Sequence, residues 1–321
     1  MSADQSYRVL FVIPTQVHLL DICGPAHLFY EAKQFDPSIN LHFVGLNSQK
    51  EEITSAGLFF SRLEALDSFK LSKNDIVFIP GLEAELIFDE KFNQTNQPFF
   101  KWLVEQHCNG AKICSVCTGA YLLAQSGLLN DKSCTTHWKY LEDFRNRFPK
   151  ADLKQDRLFV KTGNIYTSAG VSSGIDLALF VIEEHHGSIF AAKIAKEIVI
   201  YLRRTEDDPQ LSVFLMYRNH LENRIHKTQD YLAQHLDKKM KIEQLAELVH
   251  MSPRNLTRQF KKTTGITIGE YVDKLRVEKA IQLLLDGQKV DAVSLSCGLA
   301  SSNQLRSLLK KYKGVLPNTL S

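Results

Sequence analysis

The sequence predicts an α/β layer domain with a mainly parallel sheet, followed by an all-α domain of two helix-turn-helix units. Three observations predict it. Over the first two thirds, short apolar runs alternate with amphipathic stretches. The last eighty or so residues repeat one helix–turn–helix pattern. Charge divides along the same line: residues 222–321 hold 17 Lys and Arg against 10 Asp and Glu, whereas residues 1–221 hold 22 against 26. A basic module attached to a mildly acidic one suits a polyanionic partner for the C-terminal part alone.

Residues 8–13, 41–46, 76–79 and 112–116 read as buried parallel strands, because each is a short apolar run without polar alternation. Helical patterns lie near 20–33, 98–108, 118–127, 137–148 and 174–186, and a further one spans 188–204. Thr205-Glu-Asp-Asp-Pro-Gln210 interrupts it with charge and proline, which places a linker at about 204–212. A helix from about 213 to 235 then leads into helices at 241–249, 253–262, 268–285, 290–296 and 302–312. The expected domains are 1–204, a linker with the start of the connecting helix over 205–221, and 222–321.

In the first repeated unit, Ile242, Leu245, Ala246 and Val249 form one helical stripe, and Leu256 and Phe260 form the facing one. Ala246 is small where the two helices must cross. Ser252 suits an N-cap, and Pro253 suits the first helical position, where no amide donor is needed. The helix starting there carries Arg254, Asn255, Thr257, Arg258 and Lys261 off its apolar stripe. In the second unit Ser294 stands at the crossing and Gly298 at the turn. Ser301 or Ser302 caps the next helix, and Leu305, Leu308 and Leu309 pack inward. Ser302, Asn303, Arg306 and Lys310 are the outward candidates there. Arg can fork onto guanine or hold phosphate, and Asn can pair with adenine; in the second unit, phosphate contact or plain solvation outweighs base reading. The helix through Tyr271, Leu275, Val277, Ala280, Leu283 and Leu284 would space the units. Two recognition helices about 34 Å apart could enter successive major grooves on one face of double-stranded DNA.

Met251-Ser-Pro-Arg-Asn-Leu-Thr-Arg-Gln-Phe-Lys-Lys262, Thr264-Gly-Ile-Thr-Ile-Gly-Glu-Tyr271 and Leu275-Arg-Val-Glu-Lys-Ala280 resemble the AraC/XylS family of transcription regulators over about 222–318. The second unit departs from the pattern. Gly298-Leu299 stands where the family usually has Gly-Phe, and Gly314-Val-Leu-Pro317 stands where it usually has Gly-Val-Ser-Pro.

In the first part, Ile113-Cys-Ser-Val-Cys-Thr-Gly-Ala-Tyr-Leu-Leu-Ala124 reads as a strand meeting a helix through a tight turn, with Cys117 at that turn as in a nucleophile elbow. Such a turn offers the Thr118 amide and the helix N-terminus to an anion, and it is expected to lower the thiol pKa. The other reading is a buried Cys on a packed turn. Leu20-Asp-Ile-Cys-Gly-Pro25, Ile79-Pro-Gly81, Val116-Cys-Thr-Gly-Ala120, Gly127-Leu-Leu-Asn-Asp131, Thr135-Thr-His-Trp138, Thr167-Ser-Ala-Gly-Val171 and Gly174-Ile-Asp-Leu-Ala178 resemble the PfpI-like branch of the class I glutamine amidotransferase-like superfamily, over most of 7–187. The two resemblances together are the arrangement of GlxA-type regulators.

The PfpI-like resemblance implies a flavodoxin-like three-layer sandwich. Thr118 follows Cys117, so the Cys-His dyad of the protease-like members is absent. The remaining pattern of Asp21, Cys117 and Thr118 resembles that of isonitrile hydratases. Asp21 could share a proton with the thiolate, and Gly81 could complete an oxyanion pocket. Pro25, His27 and Glu83 would shape the surroundings. His137 is the nearest motif-borne base, with a pocket-wall or core histidine an equal reading. The expectation is a regulator rather than an enzyme, since turnover would destroy its own signal. The alternative is a Cys-dependent isonitrile hydratase or amidase that also binds DNA. The resemblance further implies a homodimer, a small nitrogen-containing metabolite as ligand and contact with RNA polymerase.

The six cysteines show no paired metal spacing, and Cys114-Ser-Val-Cys117 has no second pair to complete a zinc site, so no metal or cofactor is expected. Residues 1–5 lack the order of a signal peptide, and no run of eighteen apolar residues occurs, so the expected location is the cytoplasm and no membrane is expected as partner.

Overall fold

The computed structural model describes residues 6–319 except 48, 156, 201–203, 205–209, 211–212, 219, 239–240 and 286. The chain forms two compact units that divide between Gln210 and Leu211. Among the described residues no helix is long and apolar enough to cross a membrane.

The first unit is built on a seven-stranded sheet of β1 (Tyr7–Ile13), β2 (Ile39–Gly45), β3 (Glu64–Ala65), β4 (Ile76–Ile79), β5 (Lys112–Val116), β6 (Phe159–Thr162) and β7 (Ile165–Ser168). Their order across the sheet is β6-β7-β5-β4-β1-β2-β3. All neighbours run parallel except β6 and β7, which form a hairpin. Alternate strand residues supply two cores. Val9, Phe11, Phe78 and Val116 face α1 (Leu19–Phe35), α4 (Ser173–His186) and α5 (Ser188–Glu197). Leu10, Val12, Val77, Ile79 and Ile113 face α2 (Gln97–Cys108) and α3 (Gly119–Gln125). Burial on both faces explains why these strands are uniformly apolar in sequence. The α/β sandwich expected from the sequence is thus present, with its four expected strands at the centre.

The sheet edges escaped the reading. The β6–β7 hairpin turns at Gly163-Asn164, with Gly163 at φ 63°. That dipeptide between two β-branched and aromatic runs was a usable hairpin signal. Small hairpins and short helices also fill 51–61 and 84–95.

Two helix expectations need correction. The helix read over 188–204 ends at Glu197, and Val199 takes the left-handed conformation at φ 55°. The connecting helix read over 213–235 is broken into Val213–Met216 and α6 (Asn223–Gln234). Side chains of the later helix capture the chain between them. Gln229 Nε2 donates to the Tyr217 carbonyl at 2.6 Å, and Arg218 forks onto Asp230 at 2.5 and 3.1 Å. The remainder of the expected linker lies partly outside the described residues.

The second unit contains α7 (Ile242–Leu248), α8 (Pro253–Thr264), α9 (Ile268–Leu285), α10 (Val290–Ser296) and α11 (Ser302–Lys313). It has two cores, and α9 serves both. Ile268, Tyr271 and Leu275 join Leu245, Ala246, Leu256 and Phe260. Val277, Ala280 and Leu284 join Val293, Leu299, Leu305 and Leu309. The duplication extends to the backbone. In the first turn His250 sits at φ 53°, and the Met251 N–H donates to the Ala246 carbonyl; in the second, Gly298 sits at φ 66°, and the Leu299 N–H donates to the Ser294 carbonyl. Only the second needs glycine for space. A Cβ at 298 would lie 2.3 Å from the Leu236 carbonyl oxygen, and Leu299 fills the core position where a Phe is usual.

This geometry separates two substitutions. His250→Gly should raise stability by about 1 kcal/mol through relief of left-handed strain, whereas Gly298→Ala should lower it by about 2 kcal/mol or more. Denaturant unfolding of the full chain measures both, and opposite signs at the two turns are expected.

At the sheet end away from the elbow, burial and the nearby Lys112 push the His185 imidazole down to about 4. The Lys112 ammonium lies 2.6 Å from its Nε2. The unfolded chain takes up this proton near pH 6.5 and the folded one only near 4, so the neutral histidine stabilises fully above 6.5 and loses that contribution as pH falls towards 4. The melting midpoint should therefore fall across this window, and His185→Gln should flatten the fall.

Candidate functional site

Every parallel strand delivers its loop to the same edge of the sheet. Four of these loops build one site around Cys117, directly after β5. Cys117 takes φ 58°, a conformation a non-glycine residue rarely adopts, and it is 3 % exposed. Its backbone is held on both sides: its N–H donates to the Ser168 carbonyl at 3.1 Å, and the Thr136 hydroxyl donates to its carbonyl at 3.0 Å. Two glycines let neighbouring segments close on the elbow, Gly119 against the end of β4 and Gly170 against Cys117 itself. A Cβ at Gly119 would lie 2.4 Å from the Ile79 carbonyl oxygen, and one at Gly170, with φ 103°, would lie 2.8 Å from the Cys117 Sγ. The elbow is a packing solution that only small neighbours allow.

Asp21, from the first turn of α1, is 1 % exposed beside the thiol. Both its oxygens are used: Oδ2 accepts from the Gly81 N–H at 3.1 Å, and Oδ1 accepts from the Val171 N–H at 2.9 Å. The Gly81 amide, expected to be free for an oxyanion, is therefore spent on Asp21. Thr118 is also spent, since its hydroxyl donates to the Leu82 carbonyl at 3.0 Å and accepts from the Leu82 N–H at 3.1 Å. Thr118 thus pins the 80–83 loop to the elbow. Asp21, Gly81, Cys117 and Thr118 converge, because a Cβ on Gly81 would meet atoms of the other three within 2.9 Å.

The thiol pKa reverses the expectation from the elbow alone. Burial first, and the Asp21 carboxylate second, raise it well above the usual cysteine range, and the Thr118 amide offsets only part of this. Cys117 therefore keeps its proton at neutral pH. Helix-terminus stabilisation is weaker here than loss of water plus a neighbouring negative charge.

His18 was missed. Its Nδ1 lies 3.7 Å from Asp21 Oδ2 and its Nε2 lies 3.6 Å from Glu83 Oε1; the contact with Asp21, before Glu83, raises its pKa. Its position three residues before Asp21 at the start of a helix was the available signal. His137 is half-buried, feels the charges of Asp21 and His18, and has its pKa lowered mainly by burial. Pro25 packs under the elbow against Gly174, whereas His27 points away and stacks on Tyr30. Among the described residues, His18, Asp21 and Cys117 are the group whose potential ligand atoms lie within 4.8 Å of one another. Both Asp21 oxygens accept backbone N–H groups and Thr118 and Thr136 bond to neighbouring backbone, so the elbow is a hydrogen-bonded network of side chains and loops. From Thr136 the network runs on to the end of the unit, where Gln210 Nε2 donates to the Thr135 hydroxyl and the Thr136 carbonyl at 3.0 Å each.

In the second unit α8 and α11 are alike in every boundary. Each has twelve residues, a serine cap (Ser252, Ser301) and a left-handed glycine at its end (Gly265, Gly314). Arg254, Asn255, Thr257, Arg258 and Lys261 are exposed, as are Asn303, Arg306 and Lys310. Ser302 is half-buried as the first helical residue, so Ser301 is the cap. The Thr257 hydroxyl donates back to the Pro253 and Arg254 carbonyls, leaving its methyl group outward. Arg258 donates to the Asn255 amide oxygen at 3.2 Å and Arg306 to that of Asn303 at 3.0 Å.

Comparison with known proteins agrees with both halves. Residues 7–184 match the DJ-1/PfpI family, and residues 245–321 match a helix-turn-helix domain. The chain is 30% identical, over 67% of its length, to the HTH-type transcriptional regulator GbdR of Pseudomonas aeruginosa, of which it spans 59%. It is 25% identical over 66% of its length to the HTH-type transcriptional regulator GlxA of Rhizobium meliloti, spanning 65% of that protein. To the isonitrile hydratase of Pseudomonas putida it is 30% identical over 55% of its length, spanning 71% of that enzyme. Among solved structures, a putative transcriptional regulator of Vibrio parahaemolyticus superposes with a TM-score of 0.54 at 24% identity, over 60% of this chain and 99% of that one, which shows a shared fold. With residues 7–184 matching over more than half its length, the chain belongs to the DJ-1/PfpI family and carries a helix-turn-helix domain after that region.

Proposed function

We propose that the chain is a sequence-specific DNA-binding transcription regulator controlled by a small metabolite bound at the elbow of its first unit. The observation that carries this reading is the pair of recognition helices. Two separate cores hold them by their apolar stripes and leave Arg254, Arg258 and Lys261 on one, and Arg306 and Lys310 on the other, free to meet phosphate and base edges. The surplus of 17 cationic over 10 acidic residues in 222–321 supplies the non-specific attraction. Relatives named as transcriptional regulators support it. A homodimer in the cytoplasm, with the ligand changing promoter occupancy or polymerase contact, completes the proposal.

The elbow supports binding over turnover. Its thiol is protonated, its nearest oxyanion donor at Gly81 is occupied, and Thr118 serves the backbone. The same network offers a route out of the pocket. A ligand that displaces Cys117 from its strained conformation also disturbs Thr136, and with it the Gln210 contact at the end of the unit.

Two measurements test these halves. Arg258→Ala should weaken operator binding by about 1–3 kcal/mol if it reads a base, while Lys310→Ala should weaken all sequences alike and reduce the salt slope by about 1. Gel shifts at several fixed salt concentrations check this, and unchanged affinity for both would remove these helices from the interface. Alkylation by iodoacetamide should label the exposed Cys108 before Cys117 at neutral pH, and Asp21→Asn should speed labelling of Cys117 by removing the charge that opposes the thiolate. Fast, Asp21-independent labelling of Cys117 would favour the alternative, a Cys-dependent isonitrile hydratase or amidase-like enzyme.

A further inference from the structure

On the far side of the segment that follows β1 lies a cavity of about 280 Å³, lined by Thr15, Leu46, Glu52, Leu86, Phe92 and Asn96 among others. Its place follows from the topology. The chain leaves β1 for β2 on one side and returns to β4 on the other, so the loops after these strands diverge at their C-terminal ends. Thr15 follows β1, Leu46 follows β2, and Leu86 lies in the helix after β4. The strand-like segment after β1 is the shared wall, giving Thr15 to this cavity and His18 to the elbow.

Two polar groups in this wall lack what their chemistry requires. Glu52, on the small hairpin Glu51–Ser61, is 7 % exposed, and Thr15 hydrogen-bonds to it without supplying a counter-charge. Asn96 is 1 % exposed; its Nδ2 donates to the Phe92 carbonyl, while its Oδ1 has no partner among the described residues. A buried acceptor left unpaired and a buried carboxyl without a cation are both costly. At the rim, Asp89 and Lys91 are exposed and offset one another, which leaves the lining with one negative charge in excess. Leu46, Leu86 and Phe92 supply an apolar side.

We propose that this cavity is a subsite for a small organic cation bearing N–H donors, a primary ammonium compound, held between Glu52 and Asn96 with its hydrocarbon part against Leu46, Leu86 and Phe92. A quaternary ammonium group fits worse, since it has no N–H for the Asn96 oxygen, and the lining has one aromatic ring rather than a cage. The volume falls just below the range of roughly 300–1,000 Å³ for ligand pockets, which suits a metabolite of few heavy atoms. Burial also raises the Glu52 pKa, so a bound cation would favour its ionised form. The inference rests on reading the first unit as a sensor.

The test is calorimetric titration of the full chain with n-butylammonium chloride, and with tetramethylammonium chloride for comparison. Wild type should bind n-butylammonium more tightly than tetramethylammonium. Glu52→Gln and Asn96→Leu should each weaken n-butylammonium by about tenfold or more, whereas Asp67→Asn, an exposed carboxylate elsewhere in the unit, should not. Glu52→Gln keeps the shape of the side chain, and its melting curve separates lost binding from lost folding. No preference between the two cations, or equal affinity in Glu52→Gln and wild type, overturns the proposal. Binding abolished by Cys117→Ser and unaffected by Glu52→Gln also overturns it, placing the amine at the elbow. Operator binding measured on the same samples is the independent readout: intact DNA binding without amine binding sinks this subsite and leaves the regulator standing.

Discussion

A cysteine forced into left-handed backbone at the mouth of a buried parallel sheet is the constraint around which the first unit is arranged. Such a conformation costs of order 1–3 kcal/mol and persists only where the surroundings over-determine it. Here the Cys117 N–H is tied to Ser168 on β7, its carbonyl is tied to Thr136, and Gly119 and Gly170 leave space that larger residues would fill. Thr118 and Asp21 then fasten the loops after β4 and β7 to the same point.

That arrangement also decides the chemistry. A nucleophilic cysteine needs a stabilised thiolate, which comes from exposure to water, a positive neighbour or a free helix terminus. The elbow offers the terminus and a nearby His18, but it buries the sulfur and places a carboxylate beside it. The elbow is thus a hydrogen-bonded network around a thiol whose pKa is raised by burial and by that carboxylate. Hydrogen bonds also join the elbow through Thr136 to Gln210 at the end of the unit.

The second unit solves a different problem. Each helix-turn-helix is too small to bury a sizeable core by itself, and α9 contributes one end to each of the two cores. The two halves of the duplication then diverge where neighbours differ. The first turn tolerates His250 in a left-handed conformation, and the second requires Gly298 because the chain at Leu236 and Asp237 passes directly over it.

Much of this was legible before any coordinates. Uniform apolar runs identified the four central strands because burial on both faces leaves no polar alternation, and serine caps located the starts of α8 and α11, since capping is a local property of the chain. Short edge strands carry little hydrophobic signal, so β3, β6 and β7 passed unseen. The connecting helix was misread because its interruption depends on side chains of α6 reaching back to Tyr217 and Arg218. Asp21, Gly81, Cys117 and Thr118 were recognisable as types, and His18 lay unread three residues before Asp21. What each does was decided only in three dimensions. Proton affinity, donor occupancy and the charge balance of a cavity all depend on which groups meet across long stretches of sequence, and spacing along the chain does not report that.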